Sequence, residues 1–294
     1  MMALAERTDA KDSVGIFAPD GWKPIRTFPV DSIDLDDLKW SPSGSVLCII
    51  DTALQYQVLL YTATGEHLQT FRPYENALGV KTVAWHPHGH LLALGSYDER
   101  ARLLNSLTWQ RIAECAHPAE VREAFSEDAV VWLEPPDDST AGGYVAQRLP
   151  LTVPSMRPNP DVPNPKVGVG LLAWSHGGRF LATRNDNMPS TLWVWDGEKL
   201  LLHSVLVHQG GVRAAAWNPT RQLLAIATGS AKVFMWSPEG CRTVRATHAS
   251  APRTRAPHAH MGPLLLALAC MTSVAAWDLD CAGSATDRAR VARQ

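Results

Sequence analysis

The chain has 294 residues, 46% of them hydrophobic, enough for one large or two ordinary domains with a sizeable core. Its 27 basic and 29 acidic residues leave a formal charge of −2, which gives no long-range attraction to a phosphate backbone or an anionic lipid surface. The five cysteines, Cys48, Cys115, Cys241, Cys270 and Cys281, are odd in number and lack a C-x-x-C pair, so they point to neither a disulfide framework nor a zinc site and fit a reducing compartment.

The opening stretch meets Glu6 and Arg7 before any apolar core develops, so no secretory signal is expected there. Three short β-prone runs follow at 2–5, 14–17 and 24–28, with no tryptophan-turn segment ahead of them. A first complete unit then opens with Asp37-Leu-Lys-Trp40-Ser-Pro-Ser-Gly44. It continues through apolar strands at 46–50, 57–61 and 67–71. A second opens with Val83-Ala-Trp85-His-Pro-His-Gly89 and continues at 91–94, 100–104 and 109–113.

Between about 118 and 165 lies a surplus segment dense in proline, including Val153-Pro-Ser-Met-Arg-Pro-Asn-Pro-Asp-Val-Pro-Asn-Pro165. Proline blocks sheet ladders, so a mobile loop is expected, serving as a spacer or a docking motif. A third unit then opens with Leu172-Ala-Trp174-Ser-His-Gly-Gly178, with strands at 180–182, 191–195 and 200–205. A fourth opens with Ala215-Ala-Trp217-Asn-Pro-Thr-Arg221, with strands at 223–227, 231–236 and 241–244. Runs at 264–270 and 273–279 resemble second and third strands, and the first of them is too short to span a bilayer. The stretch 249–263 shows no first strand, and 282–294 reads as a disordered tail.

Trp40 to Trp85 is 45 residues and Trp174 to Trp217 is 43, whereas Trp85 to Trp174 is 89, one period plus the surplus segment. Four short strands recurring at roughly 40 to 45 residues is the pattern of a WD-type β-propeller blade. In that reading the flat indole ending each first strand packs between blades, and the turn after it reverses the chain. The Trp-Asp pair itself stands at Trp195-Asp196 and Trp277-Asp278. The expected fold is therefore all-β, a partial WD-repeat propeller of about four full blades plus two incomplete ones. It occupies 1–281, with blades missing ahead of Met1, and ends in the tail 282–294.

Enzymatic chemistry has little to stand on, and no catalytic, metal or cofactor-binding residue is assigned. His86, His88 and His90 occupy a turn that other units build from Ser-Pro-Ser-Gly or Asn-Pro-Thr-Arg, so a surface turn is expected rather than a metal site. Gly168-Val-Gly170 lacks the third glycine and following helix of a dinucleotide site, and there is no G-x-S-x-G elbow. Arg253, Arg255, His258 and His260 read as a solvated loop. No small-molecule substrate is expected. For protein contacts the candidates are the polar cluster Arg184, Asn185, Asp186 and Asn187, set where blade loops emerge, and the possible aromatic anchors Trp22, Tyr74 and Trp109. A turn capped by its own Asn and Asp side chains explains the polar cluster equally well.

Several stretches carry a more specific resemblance: Met2-Ala-Leu-Ala-Glu-Arg7, Asp51-Thr52, Leu78-Gly-Val-Lys-Thr-Val-Ala-Trp85, Gly95-Ser-Tyr-Asp98, Asn164-Pro-Lys-Val-Gly-Val-Gly170, and Phe180-Leu-Ala-Thr-Arg-Asn-Asp-Asn187 followed by Val194-Trp-Asp196. They resemble the centrosomal WD-repeat family of spindle poles and centriolar satellites, encoded antisense to a tumour-suppressor-related gene. The resemblance implies a non-enzymatic scaffold in the cytoplasm, at centrosomes, spindle poles and ciliary bases. It also implies action with a coiled-coil centriolar-satellite partner in microtubule anchoring, spindle assembly and cilium formation. The family's N-terminal blades are absent here, and 249–263 does not look like its last blade. The alternative is a substrate receptor or peptide reader in a ubiquitin-ligase or chromatin complex, because the fold serves many functions.

Overall fold

The computed structural model describes residues 1–75, 77–123, 129–136, 143–159, 161–162 and 165–245, and their regular elements are all strands. The expectations for 246–294, including the strands at 264–270 and 273–279, the basic stretch and the tail, lie outside the described residues.

Each tryptophan-turn unit folds as a four-stranded antiparallel sheet in sequence order. The first is β4 (Leu35–Trp40), β5 (Val46–Asp51), β6 (Val58–Thr62) and β7 (His67–Phe71). The second is β8 (Val80–Trp85), β9 (Leu91–Ser96), β10 (Arg100–Asn105) and β11 (Arg111–Ala116). The third is β16 (Val169–Trp174), β17 (Phe180–Asn185), β18 (Thr191–Asp196) and β19 (Leu201–Val207), and the fourth is β20 (Ala214–Trp217), β21 (Leu224–Ala227), β22 (Lys232–Ser237) and β23 (Gly240–Arg245). Ahead of them β1 (Met2–Thr8), β2 (Lys11–Phe17) and β3 (Pro24–Pro29) form a three-stranded sheet. Strand β2 pairs Val14 with Phe28 as β6 pairs Val58 with Phe71, so this sheet holds the second, third and fourth strands of a blade. The architecture is a partial propeller, as the repeat pattern predicts.

The middle strands are buried because both faces of each sheet meet a neighbouring blade, which suits runs such as Leu47, Cys48, Ile49 and Ile50. Apolar clusters fill the successive junctions. Val14, Ile16, Phe28, Leu47 and Ile49 join the first two sheets, and Phe180, Leu192, Leu224, Ile226, Phe234 and Trp236 join the last two. Burying one such aliphatic side chain contributes about 1.5–3 kcal/mol.

The recurring tryptophans do more than fill space. The Trp85 indole N–H donates to the Lys39 carbonyl (3.4 Å), Trp174 to Ala84 (3.2 Å) and Trp217 to Ala173 (2.8 Å). In each case the acceptor is the residue just before the tryptophan of the preceding blade. The residue just after each tryptophan caps its own turn: Ser41 Oγ accepts Val46 N–H, His86 Nδ1 accepts His88 N–H, Ser175 Oγ accepts Phe180 N–H and Asn218 Oδ1 accepts Arg221 N–H.

The surplus segment departs from the expected mobile loop. It supplies β12 (Glu120–Val121), β13 (Val130–Leu133), β14 (Val145–Gln147) and β15 (Leu151–Thr152). Strand β13 adds in parallel to the outer edge of β19, with Val131 opposite Val205, and β14 follows it antiparallel, extending the third blade to six strands. The correction has a simple cause. The prolines lie outside these strands, and Val130, Val131, Trp132 and Leu133 form a proline-free, β-branched and aromatic run that buries Val131 completely.

Candidate interaction face

Antiparallel connection sends the turns to two opposite ends of the blades. Loops joining second to third strands (52–57, 97–99, 186–190 and 228–231) share one end with the connections between blades. The tryptophan turns and the reversals between third and fourth strands share the other.

At the first end, Asp186 is the hub of an ion network. Its carboxylate accepts the Lys81 ammonium (2.8 Å) and the Arg184 guanidinium (2.9 Å), while Arg184 also donates to the Val212 carbonyl (2.6 Å). Lys81 in turn donates to the Val167 carbonyl (3.0 Å) and lies 4.9 Å from the centre of the Tyr97 ring. The backbone must come close for this to form. A Cβ at Gly170 would stand 2.4 Å from the Asp186 carboxylate, and one at Gly168, with φ +86°, would stand 2.5 Å from the Ser96 carbonyl. Three blades, carrying Lys81, Asp186 and Val212, are thereby tied through one carboxylate.

Asn185 and Asn187 point inward. Asn185 is fully buried and donates to the Glu99 carboxylate (2.9 Å), and the Asn187 carbonyl accepts Met156 N–H (2.7 Å) from the surplus segment. The exposed polar cluster expected at 184–187 is thus mostly an internal brace, with Arg184 and Asp186 retaining part of their surface. Charged residues at this spacing satisfy one another once the neighbouring blades dock, and that leaves less for solvent.

A second polar cluster, missed in the sequence, centres on Arg102. It is nearly buried, pairs with both oxygens of Asp98 (3.2 and 2.6 Å), donates to the Tyr56 hydroxyl (3.1 Å) and lies 5.3 and 5.5 Å from the centres of the Tyr56 and Tyr74 rings. Tyr56 also pairs with Ser96. Tyr74 stacks edge-on against Tyr56 at 4.9 Å. Burial first, then the nearby Asp98 carboxylate, raise its hydroxyl pKa above the ordinary tyrosine range. The only hint was the charge density of Asp98-Glu-Arg-Ala-Arg102.

Trp22 and Trp109 sit at the opposite end, in reversals between third and fourth strands, both with left-handed φ (+52° and +56°). Trp109 packs edge-on against Trp85 at 6.1 Å and belongs to the junction core. Trp22 differs: it is 58% exposed, with Ile25, Leu4 and Met2 also exposed on the same three-stranded sheet. The register places Met2 opposite Phe17 and Phe17 opposite Pro24, at the end of the sheet that carries the Trp22 turn. Of the three aromatic candidates, Trp22 alone presents its ring to solvent.

Among the described residues, no group of three His, Cys, Asp or Glu side chains is placed to hold a metal ion. His88 and His90 are exposed as a surface turn requires, but His86 is buried, with Nδ1 used by the turn and Nε2 directly over Gly178. Burial pushes the Cys48 and Cys115 thiols up to about 12, which keeps them protonated and poorly nucleophilic at neutral pH. His117 and His208 are held neutral by burial, each down to about 4.

Residues 38–123 match the family described as Anaphase-promoting complex subunit 4 WD40 domain, and residues 200–237 match the WD domain, G-beta repeat. The chain is 42% identical over 265 residues to the WD repeat-containing protein WRAP73 of Mus musculus, covering 83% of this chain and 57% of that one. It is 26% identical to an uncharacterized WD repeat-containing protein of Schizosaccharomyces pombe, covering 70% of this chain and 41% of that one. It thus spans about half the length of these relatives. Among solved structures, a chain in the Crystal Structure of Mitotic Checkpoint Complex aligns at a TM-score of 0.49 with 14% identity, over 81% of this chain and 64% of that one.

Proposed function

We propose, from the premise that this chain is a WD-repeat protein, that it is a non-enzymatic scaffold presenting loops to a coiled-coil centriolar-satellite partner at the centrosome, spindle pole and ciliary base. In this role it contributes to microtubule anchoring, spindle assembly and cilium formation. The observation that carries the scaffold reading is the pre-organisation of the loop end. Lys81, Arg184, Asp186, Asn185 and Glu99 lock loops of adjacent blades to one another, so a partner meets a surface whose ordering cost is already met. Among the described residues, the Lys81, Arg184 and Asp186 charges pair with one another, and the Asn185 amide pairs with Glu99. The resemblance in stretches such as Ala182-Thr-Arg-Asn-Asp-Asn187, together with the 42% identity to a WD repeat-containing protein, supports the centrosomal assignment.

Trp22 is the contact expected to matter most, since an exposed indole with apolar neighbours is the side chain from which binding hot spots are commonly built. Proximity labelling in dividing cells tests the assignment. Enrichment of pericentriolar proteins is expected, reduced roughly tenfold or more by Trp22→Ala, a loss typical of a hot-spot anchor. Charge reversal at Asp186 tests the loop end separately. Unchanged labelling with both variants folded would remove both from the contact surface.

The match of residues 38–123 to the WD40 domain of an anaphase-promoting complex subunit favours a second reading, a receptor or reader subunit within a ubiquitin-ligase or chromatin assembly. Cullin adaptors or histones in place of pericentriolar proteins in the same labelling would establish it.

A further inference from the structure

The first strand of each complete blade carries an irregularity at the same place. The pairing of β4 with β5 skips a residue between Leu35 and Asp37, that of β8 with β9 skips one between Val80 and Thr82, and that of β16 with β17 skips one between Val169 and Leu171. In the fourth blade the Arg213 N–H donates to the Ala227 carbonyl (2.7 Å), although Ala227 already stands opposite Ala214. The extra residues are therefore Asp36, Lys81, Gly170 and Arg213, each four positions before the tryptophan of its blade. A β-bulge frees its extra residue from the ladder and re-aims the side chain.

Repetition in register turns these bulges into an arc at the loop end. First strands of successive blades are neighbours: the Lys39 ammonium of β4 donates to the Val83 carbonyl of β8 (2.8 Å), β8 contacts β16, and β16 contacts β20. Strands so placed line the centre of a propeller. Tyr97 of the second blade stands among the charges of the arc. Lys81 lies 4.9 Å from the centre of its ring, and burial first, then Asp36 and Asp186, raise its hydroxyl pKa above the ordinary tyrosine range.

The charges of the arc are not equally used. Lys81 is taken by Asp186, which also holds Arg184, and Gly170 leaves room for that carboxylate. Asp36 and Arg213 are exposed, and neither has an ion pair or a side-chain hydrogen bond among the described residues. The arc therefore offers a free anion in the first complete blade and a free cation in the fourth, with a middle that is paired internally. Opposite charges so divided disfavour a ligand of one sign, because an acidic segment meets Asp36 and a basic one meets Arg213. We propose that this arc binds a partner's peptide segment bearing both a basic and an acidic side chain, the basic one against Asp36 and the acidic one against Arg213. The proposal rests on the reading of the loop end as a contact surface and adds the chemistry of what it contacts.

The test uses the full chain and random phage-displayed peptides of about 12 residues, which reach roughly 40 Å when extended. Panning is expected to enrich peptides that hold both a Lys or Arg and an Asp or Glu. Made as free labelled peptides, they are expected to bind the D36A and R213A chains about fivefold more weakly or worse by fluorescence anisotropy, with both variants melting as the unmodified chain does. Charge exchange supplies the second measurement. R213E should lose binding and regain it with a peptide whose acidic residue is replaced by lysine, a rescue that a merely structural role for Arg213 does not give. No enrichment over an uncoated support, enrichment of peptides of a single sign, or binding that survives either substitution would overturn the proposal. Pericentriolar enrichment in the labelling experiment alongside any of these outcomes would leave the scaffold reading standing and remove this site from it.

Discussion

Thr183 joins two buried rings through one hydroxyl. Its hydroxyl accepts the Trp195 indole N–H (2.9 Å) and meets His117 Nε2 (2.7 Å), while His117 Nδ1 faces the Glu99 carbonyl (2.9 Å). The carbonyl is an obligate acceptor, so Nδ1 carries the proton, Nε2 is an acceptor, and the Thr183 O–H donates to it. One hydroxyl thus satisfies two buried rings, bridging residues 66 positions apart. Thr183→Val keeps the volume and removes both bonds, stranding one donor and one acceptor. Urea unfolding should show a loss of about 2–4 kcal/mol, with Thr183→Ser recovering most of it. None of this was legible beforehand. His117 stood in the sequence as a lone histidine at the edge of the surplus segment, and Asn185 and Asn187 read equally as partner contacts or turn formers, whereas both are buried.

At the scale of elements, the strands of the four complete blades follow from alternation and turn chemistry and fall within a few residues of where the pattern puts them. Reversals between third and fourth strands share a feature that no residue type announces: Trp22, Trp109 and Leu200 all adopt φ between +52° and +56°, where Gly65 serves in the blade between the first two. At Trp109, packing of the ring against Trp85 holds a backbone that propensity disfavours, whereas the Trp22 ring is exposed. The hairpin of β13 and β14 is the clearest departure from expectation. Beyond the strand pairing, Glu134 accepts Gln209 N–H (2.9 Å) and lies 3.5 Å from Lys232, and the Tyr144 hydroxyl meets His208 Nε2 (2.5 Å), so the hairpin clamps the third blade to the fourth. Val131→Pro removes a ladder donor in the middle of β13 and should cost about 1–3 kcal/mol. Limited proteolysis is the readout, with cleavage appearing first between 118 and 165. Resistance equal to that of the unmodified chain would show that the hairpin clamps nothing.

For the whole molecule, stability resides in the junctions, since each sheet has a one-sided core until a neighbour covers it. Several junctions bury neutral histidines. His117 between the second and third blades and His208 between the third and fourth are each lowered to about 4 by desolvation, and His86 and His203 are lowered in the same direction for the same first cause. A histidine whose folded pKa lies below its unfolded value of about 6.5 is neutral in both states at higher pH. As pH falls from 6.5 toward 4 the unfolded chain takes up protons that the folded one refuses, so stability declines across that window and the loss levels off below it. The limit is about 3 kcal/mol for each of His117 and His208. Thermal unfolding should therefore shift down from pH 7 to pH 5, and less steeply in a His117→Gln chain, whose midpoint is lower throughout. A midpoint independent of pH across that range would contradict the burial of these rings as neutral groups. The sequence by itself determined the period of the tryptophans, the strands of each blade, the turns between them and the all-β class, because alternation, proline, glycine and capping side chains act within a few residues of one another. Only the tertiary structure decided that Asp186 would hold Lys81 and Arg184 together, that Asn185 would reach Glu99, that Tyr74 would be half-buried while Trp22 stayed exposed, and that β13 would join β19. Those outcomes depend on which blades stand side by side, and a contact between residues 86 positions apart exists once the sheets stack and not before.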